Sequence, residues 1–123
     1  MVLWNPEKLA KLAVIQAHHV SLFANYLAKL KATPDGDGSL LDHSMILYGS
    51  GMNSGKGGEH SPRNLPTLIA GGQKLGLKHG QHLAFDPDKH PPLSNVLLTM
   101  AQKMGVETEK FADATGTLPG LVG

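Results

Sequence analysis

The amino-acid sequence predicts an α/β fold of three-layer type. Three features support this prediction: an amphipathic helical pattern near the amino terminus, two short apolar runs of strand type around a glycine-rich loop, and a second amphipathic pattern near the carboxyl terminus. Both strand-type runs are apolar at successive positions, as is typical of strands covered on both faces. The order helix, strand, strand, helix therefore predicts helices on the two sides of a sheet.

The bulk composition fits one domain, and we expect residues 1–123 to form a single α/β unit. Eleven basic and ten acidic residues leave a formal charge of +1, which gives no electrostatic basis for binding nucleic acid. The absence of cysteine excludes disulfides, zinc–thiolate sites and a cysteine nucleophile. No apolar run is long enough to cross a membrane, and the first residues lack the pattern of a signal peptide.

The first helix is predicted to begin at Asn5. Asn5 can cap the helix, Pro6 suits its first position, and Glu7 lies favourably near the positive end of the helix dipole. Thr33-Pro34 is predicted to end it. Between these limits apolar residues recur at intervals of mostly three or four, with His19 on the same stripe; they are Leu9, Leu12, Ile15, Leu22, Phe23, Tyr26, Leu27 and Leu30.

The two predicted strands cover residues 44–48 and 67–70, on either side of a glycine-rich loop at 49–66. A turn at residues 35–42, rich in aspartate and glycine, leads into the first strand. A short β-hairpin is also predicted at residues 78–81.

The second helix is predicted to open at Pro91-Pro92 and to end at Gly105, a left-handed cap over which Val106 folds back. Its predicted buried face consists of Leu93, Val96, Leu97, Met100, Ala101 and Met104.

The polar residues of the glycine-rich loop form the predicted ligand-binding site. They are Ser50, Asn53, His60, Arg63 and Asn64, and they lie at a sheet edge, where α/β proteins commonly bind ligands. His60, beside Glu59 and Ser61, is the candidate metal ligand. Because no second histidine lies close to it in the sequence, an ordinary loop histidine is the alternative interpretation. No serine lies in the nucleophile elbow of a serine hydrolase, so no catalytic residue is predicted.

Known nucleotide and calcium motifs do not match these segments. GSGMNSG has its third glycine one place too late for a dinucleotide fingerprint, and the residues after it cannot form the required helix. A phosphate-binding loop fails at Ser50 and Gly57. The aspartates at 35, 37 and 42 resemble the start of a calcium loop, but its twelfth position is Ile46. A turn is therefore favoured there, with a loose calcium site as the alternative.

Five segments occur in the order and spacing of a bacterial family: LLDHSMILYGSGM, HSPRNLP, LIAGG, PPLSNVLLTMAQKMGVE and FADATGTLPGL. On these residues the chain resembles the carboxyl-terminal part of the HxxSHH family, domain of unknown function 1552, over roughly residues 8–121. That family is related to the alkaline phosphatase and sulfatase superfamily. The resemblance implies a longer, exported parent (periplasmic or extracellular) whose preceding part, a partner of this segment, carries the nucleophile and most metal ligands.

The resemblance also implies a degenerate metal site. In metal-dependent members the first strand runs into an Asp-His pair, whereas this chain has Ser50-Gly51-Met52, and His60 is the single counterpart of the later ligating histidine. We therefore expect a non-catalytic segment of a phosphatase- or sulfatase-like protein. We expect it to bind no divalent metal, and a bound divalent metal is the less favoured alternative. Two alternatives stay open: a module that binds metal or an anion through His60, Arg63 and the amides of residues 51–58, and a homodimer formed through an exposed apolar face.

Overall fold

The computed structural model describes residues 5–54 and 60–123. These ranges contain the helices α1 (Pro6–Ala32) and α2 (Ser94–Lys103) and a 3-10 helix at Gln73–Leu75. The strands are β1 (Pro34–Asp35), β2 (Gly38–Ser39), β3 (Met45–Gly49), β4 (Asn53–Ser54), β5 (His60–Ser61) and β6 (Thr67–Gly71). The chain thus mixes helices with small antiparallel sheets, which agrees with the predicted α/β class.

The strands pair as three separate two-stranded antiparallel sheets: β1 with β2, β3 with β6, and β4 with β5. The β3–β6 sheet is the longest, with Met45 opposite Gly71 at one end and Gly49 opposite Thr67 at the other. Both predicted strands are therefore confirmed. Residues 49–66 connect β3 to β6 through the β4–β5 ribbon. We call residues 49–66 the polar excursion.

The ends of α1 are confirmed as predicted. Asn5 Oδ1 accepts the backbone N–H groups of Glu7 and Lys8 at 3.0 and 3.2 Å, which satisfies two free amides of the first turn. The Thr33 N–H donates to the Leu30 carbonyl at the other end. However, none of the residues of α1 is buried. The apolar stripe forms, but much of it faces solvent.

The hydrophobic core lies between α2, one face of the β3–β6 sheet and the carboxyl-terminal tail. Its buried apolar residues are Leu77, Val96, Leu98, Leu118 and Leu121. Met45, Leu47 and Ile69 pack against this core from the sheet. Because side chains alternate along a strand, Tyr48 points to the opposite face, where its ring stacks on that of Phe23 at 4.5 Å. The sheet therefore meets the α2 core on one face and the end of α1 on the other.

The buried face of α2 differs from the prediction. Leu93 and Met104 are 46% and 57% exposed, although both were expected to be buried. Val96 is buried as predicted, and the other buried residues of α2 are Ser94, Asn95, Leu98 and Thr99. Hydrophobic spacing could not identify this face, because its polar members are buried through hydrogen bonds to the tail.

Those hydrogen bonds join α2 to residues about twenty positions further along the chain. Ser94 Oγ donates to Asp113 Oδ1 at 2.6 Å. Asn95 donates from Nδ2 to Thr115 Oγ1 at 3.1 Å and accepts the Thr115 N–H at 2.9 Å. Each polar group on this face has a partner, so its burial is not penalised by an unpaired donor or acceptor.

The cap of α2 is confirmed, whereas the hairpin predicted at residues 78–81 is wrong. Gly105 has φ +85°, and the Val106 N–H donates to the Ala101 carbonyl at 3.0 Å, which completes a Schellman motif. Leu77 pairs with Val122 of the tail, and the Lys78 N–H donates to the Leu121 carbonyl at 3.0 Å. The tail thus takes the place of the predicted hairpin partner. Within the described ranges, no helix has the length and apolarity to cross a membrane.

Candidate functional site

Ser50, the first predicted site residue, lies in a tight turn just after β3. Its hydroxyl donates to the Met52 carbonyl at 2.7 Å and accepts the Met52 N–H at 3.4 Å. A serine engaged with its own backbone in this way shapes the turn. This contact orients the chain from the end of β3 into β4.

Asn53 and Asn64 are brought together across the β4–β5 ribbon. The Asn53 Nδ2 group donates to the Asn64 carbonyl at 3.1 Å. Asn64 has φ 52°, a left-handed conformation that asparagine tolerates better than most residues. These two predicted site residues therefore hold the return of the chain from β5 towards β6.

The structure describes the side chain of Arg63 but only the backbone of His60. The Arg63 side chain is exposed, and the Arg63 backbone N–H donates to Ser61 Oγ at 3.2 Å. The backbone of His60 pairs with Ser54 in the β4–β5 ribbon. The His60 side chain and residues 55–59, which include Glu59 and most of the predicted anion loop, lie outside the described part of the chain. The metal-ligand role of His60 therefore stays a prediction.

A charged cluster forms elsewhere, around the β1–β2 hairpin, and we call it the hairpin network: Asp35, Asp37, Asp42, His43 and Lys74. His43 Nδ1 lies 3.1 Å from Asp35 Oδ2, and His43 Nε2 lies 3.2 Å from Asp37 Oδ1. Lys74 Nζ donates to Asp37 Oδ2 at 2.8 Å. Asp42 Oδ2 accepts both the N–H and the hydroxyl of Ser39, at 2.8 and 2.7 Å.

His43 lies between two aspartates of one hairpin, with one ring nitrogen facing each carboxylate. The ring therefore links Asp35 and Asp37, which lie on either side of the turn at Gly36. His43 is 28% exposed at its side chain, so water still reaches it.

Three pKa values in the hairpin network are shifted. The hydrogen bond from Lys74, followed by its charge, lowers the pKa of Asp37 below its ordinary value. The Ser39 hydroxyl, followed by the Ser39 backbone N–H, lowers the pKa of Asp42. The hydrogen bond to Asp37, followed by the charge of Asp37, raises the pKa of Lys74. Each shift favours the charged form, so Asp37 and Lys74 form an ion pair near neutral pH, whereas the Asp42 carboxylate is held by the neutral Ser39.

The hairpin network supports the turn interpretation of residues 35–42. Gly36, with φ +56°, occupies the first central position of the two-residue hairpin between β1 and β2. The carboxylates of Asp37 and Asp42 already have protein partners. No group of three histidine, aspartate or glutamate side chains in the described ranges is arranged to hold a metal ion.

An open cleft of about 510 Å³ lies beside the hairpin network. Polar groups on its walls include Lys31, Asp42 and His79, and the floor is the β6 end at Gly71. His79 Nε2 lies 2.6 Å from the Gly71 carbonyl, which fixes the ring against the strand. Sequence reasoning missed His43, Lys74 and His79 as members of this region. Lys74 lies 37 positions from Asp37, whereas the partners of His43 lie in the adjoining turn, so the Asp42-His43 pair at the end of that turn was the available signal.

Comparisons with protein-family models, with curated proteins and with solved structures find no significant match for this chain. Its function is therefore argued from its residues and geometry.

Proposed function

We propose that this chain is the non-catalytic carboxyl-terminal segment of a longer, three-layer α/β protein of the alkaline phosphatase and sulfatase type. In this proposal residues 49–66 form one wall of a site that the preceding part of the parent completes. The proposal rests on the motif order described above, together with three features of the structure.

The β3–β6 sheet carries the proposal. Within the described residues these strands pair only with each other, so both outer edges present backbone N–H and C=O groups for further strands. An isolated two-stranded sheet is marginally stable in water, and such apolar strands are typical of the interior of a larger sheet. Flanking strands from the preceding part of the parent would pair these edges.

The packing on the two faces of β3–β6 also supports this proposal. Leu47 faces the α2 core, and Tyr48 faces Phe23 of α1. Helices on both sides of a sheet are the arrangement of a three-layer α/β protein. A wider sheet in the parent would extend the same two helical layers.

The polar excursion supports a binding wall without chemistry of its own. Ser50 stands where metal-dependent relatives of the resembled family have an aspartate, and its hydroxyl is bonded to Met52 within a turn. Asn53 and Asn64 hold the two sides of the excursion together. Among the described residues of this segment, Ser50 is engaged with its own backbone and the two asparagines hold the chain, so we expect the chain alone to be inactive.

The direct test is an assay of the purified chain against p-nitrophenyl phosphate and p-nitrophenyl sulfate, with magnesium, calcium, manganese or zinc added separately. We expect no turnover above buffer. Metal content measured by plasma mass spectrometry, after purification without chelator or nickel, is expected to be far below one ion per chain. Turnover that survives repurification and is lost in His60→Ala would overturn the proposal.

A second test addresses the open sheet directly. In β3 and β6 the amides that point away from the partner strand should exchange with deuterium much faster than the inward amides, as followed by nuclear magnetic resonance. Uniform slow exchange along both strands would show that the edges are already covered in the isolated chain. That result would contradict the proposal that the outer edges of β3 and β6 pair with strands of the preceding part of the parent.

A further inference from the structure

The first two-thirds of α1 extend away from the rest of the chain. The helix has 27 residues, so it is about 40 Å long. Its contacts with the body come from the carboxyl-terminal end, where Phe23 stacks on Tyr48 and the Leu30 carbonyl accepts the Leu41 N–H at 3.4 Å. The preceding turns, from Pro6 to Leu22, are exposed throughout.

The composition of this exposed helix is that of a buried one. Residues 12–28 contain no aspartate, glutamate, lysine or arginine. Leu12, Ile15, Leu22 and Tyr26 are 47%, 51%, 53% and 50% exposed, respectively. A helix with one solvated face normally carries charged residues along it, and a long uncharged apolar stretch marks an interaction surface.

Four of the exposed apolar residues of α1, together with His19, form one seam. Leu12, Ile15, His19, Leu22 and Tyr26 follow one another at spacings of three, four, three and four, which is the repeat of two helices packed side by side. We call these five residues the α1 seam. Val14, which is 71% exposed, lies about 100° around the helix from Ile15 and is outside the seam.

The exposed surface of the chain is larger than that of a compact monomer of the same mass. The chain exposes 9105 Å², whereas a folded monomer of 13.0 kDa exposes about 6,300 Å². An allowance of about 150 Å² for each of the nine residues outside the described ranges still leaves an excess above about 1,400 Å². A stable interface buries about 800 Å² on each partner, so the excess accommodates an interface through α1 as well as the sheet edges.

We infer that the α1 seam pairs with the α1 seam of a second copy of this chain in an antiparallel, two-fold symmetric dimer. In such a dimer both copies use the same seam, and each helix lies along the exposed turns of its partner. The charges of α1 are confined to its ends, at Glu7, Lys8, Lys11, Lys29 and Lys31. The amino-terminal end, with Glu7, Lys8 and Lys11, has a net charge of +1, and the carboxyl end, with Lys29 and Lys31, has +2. An antiparallel pair places a +1 end against a +2 end, and so avoids the contact between two +2 ends that a parallel pair would make.

His19 lies in the middle of the seam. A polar residue at one seam position fixes the register of paired helices at a cost in stability. The dimer therefore uses His19 for alignment, and an aliphatic residue there strengthens association.

The test is the molar mass of the full chain by size exclusion with light scattering, between about 1 and 200 µM. The wild type is expected to form a dimer with a concentration-dependent mass. Ile15→Lys should raise the dimer dissociation constant at least about a hundredfold, since each dimer buries two copies of this side chain. The adjacent Val14→Lys is the matched control and should shift it by less than about threefold. His19→Leu should lower it.

Circular dichroism of both lysine variants verifies that the helix persists, and Leu22→Gln tests the seam without adding charge. A wild-type monomer at the highest concentration would overturn the inference and assign the seam to a different segment or partner. Equal weakening by Ile15→Lys and Val14→Lys, or oligomers that neither variant changes, would also overturn it. Because the chain has no cysteine, single spin labels at Lys11→Cys measure the orientation. Close labels would contradict the antiparallel arrangement.

Discussion

The hydroxyl of Thr99 accepts the backbone N–H of Leu118 at 2.8 Å, and this contact joins the middle of α2 to the carboxyl-terminal tail. The same hydroxyl donates to the Asn95 carbonyl at 2.7 Å. Thr99 is 2% exposed, so both bonds are shielded from water. This contact adds to the packing of Leu118, which is itself buried in the hydrophobic core.

Replacement of Thr99 with valine should destabilise the chain by about 1–3 kcal/mol, because the Leu118 N–H loses its acceptor in a buried position. Thr99→Ser keeps the hydroxyl and removes one methyl group, so its cost should be about 1 kcal/mol. Urea unfolding followed by circular dichroism measures both values. If serine proved as costly as valine, packing of the methyl group rather than the hydrogen bond would hold the tail.

Gly71→Ala should be far more damaging than Gly36→Ala. Both glycines have positive φ, +78° and +56°, so either alanine is strained by about 1–2 kcal/mol. At Gly71 a Cβ atom would also collide with the Ser44 and Leu41 carbonyl oxygens, whereas at Gly36 it would meet open space. Thermal unfolding should therefore rank the wild type above Gly36→Ala and Gly71→Ala lowest. Equal losses would show that the chain at Gly71 shifts easily.

Stability should decrease in acid through the hairpin network. The pKa values of Asp37 and Asp42 are lowered in the folded state by their partners, so their contribution is fully present above their unfolded values of about 4 and is lost as the pH falls through the lowered values. The melting temperature should therefore fall below about pH 4. Lys74→Met should flatten this decrease, because it removes the main cause of the Asp37 shift. Lys11→Met, which removes an exposed pair with Glu7, is the control.

At high pH the dependence of stability on pH has the opposite sign. The pair with Asp37 raises the pKa of Lys74, so this contribution is fully present below the unfolded value of about 10.4 and is lost as the pH rises through the raised value. Asp37→Asn should reduce the fall in melting temperature above about pH 10. An unchanged decrease at high pH in Asp37→Asn would indicate that the Lys74 contact is not maintained in solution.

Local signals explain the parts of the fold that the sequence predicts well. Asn5, Pro6 and Gly105 act through their own turns, so the start of α1 and the end of α2 can be located from adjacent residues. The apolar character of residues 45–48 likewise predicts β3 without reference to the rest of the chain.

The remaining features depend on residues far apart in the sequence. The buried face of α2 contains Asn95 and Thr99 because the tail supplies their partners, and hydrophobic spacing carries no record of those partners. Lys74 reaches Asp37 across 37 positions. In the candidate site, Asn53 and Asn64 lie in contact across the β4–β5 ribbon, and Lys74 joins the hairpin network through the fold rather than through its neighbours in the sequence.

The passage of the tail over α2 has a consequence for how the chain is made. The residues that close the core, Leu118 and Leu121, emerge from the ribosome after every helix and strand described above. Until they arrive, the apolar surfaces of β3, β6 and α2 stand open, and exposed strands of this kind are recognised by chaperones and prone to aggregate. A ribosome that stalls before Leu118, or a protease that removes the tail, would therefore release a chain whose hydrophobic core stays exposed to water.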